Sequence, residues 1–198
     1  MQTATLTTPC DKNVTAACKK FDRENRIIEE SLTELFRQYP HNTDPHHVLL
    51  KVIAVNALYS TRIPVYSGKI LNALDMAHHI HQHGPEFDSA LASGSPEIVD
   101  QIANLRVAEK GERCYFSFAS KYCSWHKPQS YPIWDSNVHA YLRCLQRQTG
   151  FAKGFDVDGY WKYPAFHAVM SDFRKRYRLD SFTFKQIDKF LWAYGADL

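Results

Sequence analysis

The segment FSFASKYCSWHKPQSYPIWDSNVHAYL, residues 116–142, contains the features on which the fold assignment depends. It begins as an apolar, aromatic-rich helical pattern that holds a single lysine, Lys121. A loop punctuated by Pro128 and Pro132 follows, and an amphipathic pattern begins after Asp135. Because X-Pro favours extended backbone and aspartate is a preferred N-cap, we predict a helix, an extended loop and a second helix that Asp135 caps.

The composition is that of a folded globular protein. Of 198 residues, 44% are hydrophobic, which suffices for one domain or two small lobes around a sizeable core. No apolar run approaches the roughly 20 residues of a membrane helix, and the polar N-terminal segment lacks the apolar stretch of a signal peptide. The five cysteines are odd in number and lack CxxC spacing, which favours free thiols. We therefore expect a cytoplasmic protein without a membrane segment.

Apolar residues recur at helical spacing along most of the chain. Residues 21–39 predict an amphipathic helix, and residues 45–58 predict an almost wholly apolar one that Asp44 caps. Further helical patterns cover residues 63–83, 85–105, 135–145, 160–177 and 182–195, and Ser181 or Thr183 is expected to cap the last of them. Strand-like alternation of useful length is not evident. We predict an all-α fold of about eight to ten helices, preceded by a flexible arm at residues 1–18.

Basic side chains are concentrated in two segments. The formal net charge is only +3, but residues 106–127 carry five lysines and arginines against two glutamates, and residues 172–189 carry six against three aspartates. Such segments are typical of phosphate-binding surfaces and equally of solvated helix faces. Charge alone therefore leaves both interpretations open.

Lys121 and Asp135 are the candidate chemical groups. A lysine in the middle of a helix usually extends to solvent, whereas burial beside aromatic side chains favours the neutral amine that a nucleophile requires. An aspartate before a helix is usually only its N-cap, but the helix dipole also keeps such a carboxylate ionised. An ionised carboxylate at that position is suited to stabilising a cation or orienting a water molecule.

His79 and His83 have the i,i+4 spacing of a zinc-binding pair on a helix. Neither an HExxH pattern nor a third ligand accompanies them, so a polar helix end before Gly84 is the better interpretation. We expect neither a metal nor a cofactor.

Three segments resemble the helix-hairpin-helix DNA glycosylases, especially the 8-oxoguanine DNA glycosylase branch. HKPQSYPIWDSNV (126–138) is similar to the loop and Pro-apolar-Asp motif that carry the family's catalytic aspartate, with Trp134 as an extra residue. VIAVNALYSTRIPVYSGKILNAL (52–74) is similar to the buried helix and turn that enter the minor groove. PEFDSALASGSPEIVDQIANL (85–105) resembles the two short helices before the family's hairpin, and the likeness covers roughly residues 45–145.

Two departures from the family pattern concern the hairpin and the lysine. Of the glycines in the family's phosphate-gripping turn, only Gly111 is present. Lys121 lies about two turns, or ~10 Å, deeper into its helix than the family's lysine. The hairpin is therefore expected to be degenerate.

The resemblance implies one two-lobed helical domain over residues 19–198. A central lobe would span about 45–126, and a second lobe would combine 19–44 with 127–198. It further implies that the protein turns a damaged or modified base out of double-stranded DNA. Asp135 would stabilise the oxocarbenium-like transition state. If the Lys121 amine is the nucleophile, a Schiff base and strand cleavage follow; if water is, the product is an abasic site.

The remaining site residues follow from the same resemblance and from the basic segments. The expected base pocket consists of Trp125, His126 and Trp134. The expected DNA contacts come from Asn56, Ser60, Thr61, Arg62, Lys110 and Arg113. Two alternatives stay open: a non-enzymatic reader of modified or damaged DNA, which the lost hairpin glycines favour, and an all-α scaffold without a nucleic-acid role. The sequence leaves open both the base and the oligomeric state.

Overall fold

The chain folds into two compact units in a computed structural model that describes residues 6–66, 68–157, 162–196 and 198. Unit 1 comprises residues 1–26 and 132–198, and unit 2 comprises residues 27–131. Helices account for 64% of the structure. Within the described residues there are ten helices and one antiparallel pair of strands. The mostly helical class predicted from the sequence is confirmed.

Unit 2 consists of most of helix α2, five further helices and the strand pair, which lies between α6 and α7. The elements are α2 (Arg26–Gln38), α3 (Pro45–Leu58), α4 (Ala73–Gln82), α5 (Gly84–Ser93), α6 (Glu97–Ala103), β1 (Asn104–Val107), β2 (Gly111–Cys114) and α7 (Phe116–His126). Helix α3 packs against α4 and α7, and α7 also packs against α6. Buried apolar side chains from these helices form the core; among them are Val52, Met76, Ile102 and Phe118.

Local caps explain where two of these helices begin. The Oδ1 atom of Asp44 accepts hydrogen bonds from the backbone N–H groups of His46 and His47, so the predicted cap of α3 is confirmed. Asn72 and Asp75 form a capping box at the start of α4. Such side chains satisfy backbone donors that a helix N-terminus leaves without intrahelical partners.

The strand pair differs from the sequence prediction, which contains no strands. Asn104 pairs with Cys114 and Val107 with Gly111, in a short antiparallel hairpin. Gly111 has φ of +85°, a conformation that glycine adopts without a steric penalty. Each strand has only four residues, and β2 is exposed along its whole length, so no alternation of apolar and polar residues marks it.

Unit 1 is built from α1 (Asp11–Glu24), α8 (Ser136–Thr149), α9 (Tyr163–Arg176) and α10 (Phe184–Gly195). Helix α10 packs on α1 and α8. The ring of Tyr141 contacts those of Phe173 and Phe190 in its core. The predicted cap of α10 is confirmed at Thr183, which forms a capping box with Gln186.

Two boundaries differ from the prediction. The sequence predicts a flexible arm over residues 1–18, whereas α1 begins at Asp11 and buries Val14 and Ala17; residues 1–5 lie outside the described part. The apolar set of α1 is small, which is why its periodicity was too weak to indicate a helix. The second boundary is that of the lobes: most of α2 and residues 127–131 belong to unit 2.

None of the helices in the described part of the chain combines the length and the apolar character that a membrane crossing requires.

Candidate functional site

Lys121 is buried in the middle of α7. Every residue from Phe118 to Trp125 is buried, and Lys121 itself is 3% exposed. Its Nζ atom donates a hydrogen bond to Ser117 Oγ over 2.8 Å and lies 5.8 Å from the centre of the Tyr59 ring. A lysine in the middle of a helix usually extends to solvent, but Lys121 does not.

A polar stripe runs along the same face of α7. Ser117, Lys121 and Ser124 follow one another at i, i+4 and i+7, a spacing that places side chains on one helix face. Ser124 is 1% exposed, and its hydroxyl makes no hydrogen bond with the described residues. A buried hydroxyl in this condition costs about 1–3 kcal/mol, so this face provides donor and acceptor capacity for a bound polar group.

Aromatic rings connect Lys121 to the other end of α7. The Tyr59 ring lies 6.5 Å from that of Trp125, which stacks on Phe36 at 6.1 Å. The Phe36 ring in turn meets the His126 ring edge-on at 4.9 Å. Three predicted site residues thus form one contiguous group, which we call the α7 cluster: Lys121, Trp125 and His126, with Tyr59 and Phe36.

Lys51 of α3 adjoins this cluster and is absent from the sequence prediction. It is fully buried, and its Nζ atom lies 3.4 Å from His126 Nε2. Burial lowers the pKa of Lys51 to about 8, although the Asp88 carboxylate opposes this shift. Burial, and then the charges of Lys51 and His41, hold the pKa of His126 well below its ordinary value. The imidazole is therefore neutral at neutral pH.

Asp135 and Trp134 belong to unit 1. The predicted cap is confirmed, because Asp135 Oδ1 accepts hydrogen bonds from the N–H groups of Asn137 and Val138 at 3.0 Å each. The Trp134 ring packs on Phe166 at 5.2 Å and lies 5.3 Å from the His139 ring. The structure thus brings together Lys121, Trp125 and His126 within unit 2 and sets Asp135 beside Trp134 within unit 1.

Three of the predicted DNA contacts, Ser60, Thr61 and Arg62, lie in the loop after α3, and a fourth, Asn56, lies in the last turn of α3. Asn56 is 6% exposed and holds the loop from inside, since its side chain donates to Ile63 O and accepts from Ile63 N and Thr61 Oγ1. Ser60 and Arg62 are exposed and have positive φ angles of 51° and 63°. Asn56 therefore shapes the loop, while Ser60 and Arg62 are presented on its surface.

The basic residues near the strand pair differ in how far contacts within the protein compensate their positive charge. Lys110 donates to both carboxylate oxygens of Asp75, at 2.9 and 2.8 Å, so its charge is already compensated. Arg113 is exposed, with its guanidinium 5.3 Å from the Tyr115 ring. Lys127 bonds the carbonyl of Ala92. The segment 106–127 thus offers a weaker positive surface than its residue count suggests.

His79 and His83 have partners other than a metal ion. His79 Nε2 lies 2.9 Å from the carbonyl oxygen of Gln101, and the His83 ring stacks on Phe87. Among the described residues, no group of three or more His, Cys, Asp or Glu side chains has the geometry of a metal site.

Comparison with known proteins assigns the chain to a family. The model of the family HI_0787_N, described as an N-terminal domain, matches residues 13–130. The chain belongs to the HI_0787_N family. An uncharacterized protein from Haemophilus influenzae is 33% identical over 136 residues, which make up 68% of this chain and 62% of that protein. The chain thus matches less than two thirds of its relative's length. No solved structure matches the chain.

The HI_0787_N segment and the structural units nearly coincide at one end. The family match stops at residue 130, and unit 2 stops at residue 131. The matched segment contains the whole α7 cluster and Lys51. Asp135 and Trp134 lie outside it. The α7 cluster is therefore the part of the candidate site that falls within the HI_0787_N domain.

Proposed function

We propose that this HI_0787_N protein is a DNA glycosylase-like enzyme that removes a damaged or modified base from double-stranded DNA in the cytoplasm. The supporting observation is Lys121, which is 3% exposed and whose amine bonds the Ser117 hydroxyl and lies near the Tyr59 ring. Such a position suits an amine nucleophile. The mostly helical class and the order of α3, its exposed loop, α5, α6 and α7 support the proposal through the resemblance described above.

The α7 cluster has the chemistry that a displaced base needs. Turning a base out of a duplex costs a few kcal/mol, and stacking on an aromatic side chain returns about 1–3 kcal/mol. Trp125, Tyr59 and Phe36 supply such rings. The Ser124 hydroxyl and the His126 imidazole supply polar groups for the edge of the base. Ser60 and Arg62, exposed on the loop after α3, are proposed to contact the DNA backbone.

In the proposed reaction, the neutral Lys121 amine forms a bond to C1′ of the sugar as the bond from C1′ to the base breaks. The base leaves with the bonding electrons and is protonated. Loss of a proton from nitrogen and opening of the sugar ring then give the Schiff base. Asp135 is proposed as the carboxylate that stabilises the positive charge of the transition state. The two residues belong to different units, so their roles are tested separately.

A non-enzymatic reader of damaged or modified DNA is the second candidate. The strand pair β1–β2 occupies the chain segment where the resemblance predicts a glycine-rich, phosphate-gripping turn. A reader needs the aromatic cluster and the exposed loop but no nucleophile. Base release distinguishes the two functions.

The test uses the full chain and a set of duplexes, each with one 8-oxoguanine, uracil or alkylated purine. We expect salt-dependent binding, and alkali-labile abasic sites in at least one duplex. Tight, lesion-dependent binding without base release would instead support the reader. Absence of both binding and release would contradict the two proposals together.

A further inference from the structure

Lys51 is a fully buried lysine with three acceptors around its amine. Its Nζ atom lies 3.0 Å from His41 O, 2.8 Å from Asn42 Oδ1 and 3.4 Å from His126 Nε2. An ammonium group has three N–H bonds, so each has one acceptor. The hydrogen bond to His126 is long, but it provides the acceptor for the third N–H bond. Burying a charged group is tolerated only when its hydrogen bonds are satisfied, and here they are.

The surroundings hold this amine in place. Asn42 donates from its backbone N–H and its side-chain amide to the carboxylate of Asp88. Tyr122 donates its hydroxyl to Asn42 Oδ1 over 2.6 Å. At Gly84 an added Cβ would lie 2.4 Å from Asn42 O, so the loop between α2 and α3, which contains His41 and Asn42, is packed closely against the start of α5. Lys51 is therefore fixed by contacts with the loop and with α7, and through Asn42 with α5.

The position of Lys51 determines the state of His126. An ammonium has no acceptor capacity, so Nε2 must accept its hydrogen bond and the ring proton must reside on Nδ1. The groups that face the ring are Lys51 and the aromatic rings of Phe36 and Tyr122, and the His41 charge also acts on it. The charges of Lys51 and His41 disfavour an imidazolium. His126 Nδ1 makes no hydrogen bond with the described residues, and the side chain is half-buried.

We infer that Lys51 is a positioning residue that fixes His126 as the neutral Nδ1–H tautomer, and that this N–H group donates a hydrogen bond to an acceptor atom of the ligand. On the proposed function, the acceptor is a carbonyl oxygen or ring nitrogen of the displaced base. The identity of the ligand rests on that function, whereas the tautomer does not. His126 would thus select bases by an acceptor atom, independently of pH across the neutral range.

Nitrogen-15 NMR of the histidine rings in the full chain tests the tautomer directly. At neutral pH we expect His126 to show protonated Nδ1 and bare Nε2. As Lys51 loses its proton near pH 8, the Nε2 resonance should shift with that midpoint, without ring protonation. In Lys51→Met, both tautomers should be populated and the pKa of His126 should rise, since a nearby cation is gone. A wild-type ring protonated on Nε2 at neutral pH would overturn the inference even if Lys51→Met does not fold.

A kinetic comparison separates this inference from the proposed function. If the protein releases bases, Lys51→Met should lower the rate several-fold for a base with the acceptor, because only part of the His126 rings then carry the Nδ1 proton that donates the hydrogen bond. The same variant should release a base that lacks this acceptor at the wild-type rate. A merely structural defect would instead slow the release of both bases. An equal loss for both bases would contradict the inference. If His126 carries its proton on Nδ1 but the protein releases no base, the tautomer inference stands and the proposed glycosylase function is wrong.

Discussion

The Nζ atom of Lys121 donates a hydrogen bond to the Oγ atom of Ser117, one turn earlier on α7, over 2.8 Å. The centre of the Tyr59 ring lies 5.8 Å from the same amine. These two contacts hold a buried amine in one place. An amine that is already positioned loses less entropy when it attacks a substrate.

Replacing Ser117 with alanine removes the oxygen that accepts this bond. We expect the free energy of unfolding to fall by about 1 kcal/mol and the rate of base release to fall about tenfold. Ser120→Ala is the matched control, because the Ser120 hydroxyl lies on the same helix and donates to the backbone carbonyl of Ser117. Equal rates in the two variants, measured on one lesion duplex, would show that Ser117 does not position the amine.

Gly84 is required by the close approach of α5 to the loop that holds Lys51. A Cβ there would lie 2.4 Å from Asn42 O, which is too close for backbone to tolerate. Gly84→Ala should therefore lower the free energy of unfolding by about 1–3 kcal/mol, as overpacked sites do. Gly154→Ala, where an added Cβ meets nothing within 4 Å, should change it little. Denaturant titration compares the two, and equal stability would contradict the packing described here.

Lys51 should make stability depend on pH in a defined direction. Burial lowers its pKa from 10.5 to about 8, so between these values the unfolded chain binds more protons than the folded one. The free energy of unfolding should consequently rise with pH in this window, and the rise should be absent in Lys51→Met. Burial raises the pKa of Tyr122 and Cys123, which opposes the rise at higher pH.

The comparison is clearest from about pH 7.5 to 9, below the ordinary range of tyrosine, and the Cys123 contribution in this window is common to wild type and Lys51→Met. Urea titrations of wild type, Lys51→Met and the exposed-lysine control Lys153→Met provide the slopes. A slope in Lys51→Met that equals the wild-type slope would mean that Lys51 is not the group responsible.

Asp135→Asn separates the capping role of this residue from a chemical one. The amide oxygen can still accept from Asn137 and Val138, so folding and DNA affinity should change little. Base release should fall at least about a hundredfold, since an amide cannot stabilise a cation as a carboxylate does. Asp44→Asn, which alters an equivalent cap on α3, should release bases at the wild-type rate. A fully active Asp135→Asn would leave Asp135 as a cap only.

Local features of the fold were predictable from the sequence, because they depend on neighbouring residues. The caps at Asp44, Asp135 and Thr183 each involve a side chain and backbone within three positions, and all three are present. The start of α1 and the strand pair were not predicted, because α1 buries few residues and each strand has only four.

Only part of the site was predictable, because some of its contacts join residues that are far apart in the sequence. Lys121, Trp125 and His126 lie on one helix, so their proximity follows from helical spacing. Lys51 is 75 positions from His126, and no local pattern predicts that contact. The one signal was a single lysine inside the apolar run VLLKVIAV, residues 48–55. A lone charge in such a run indicates a buried, hydrogen-bonded group as readily as a solvated one.

Borohydride trapping tests the central claim most directly. The full chain is incubated with a lesion duplex from which it releases the base, borohydride is added, and the modified lysine is identified by mass spectrometry. We predict a covalent protein–DNA adduct on Lys121, loss of adduct and strand nicking together in Lys121→Gln, and full trapping in Lys153→Gln. Base release that persists in Lys121→Gln, or an adduct on another lysine, would contradict the claim.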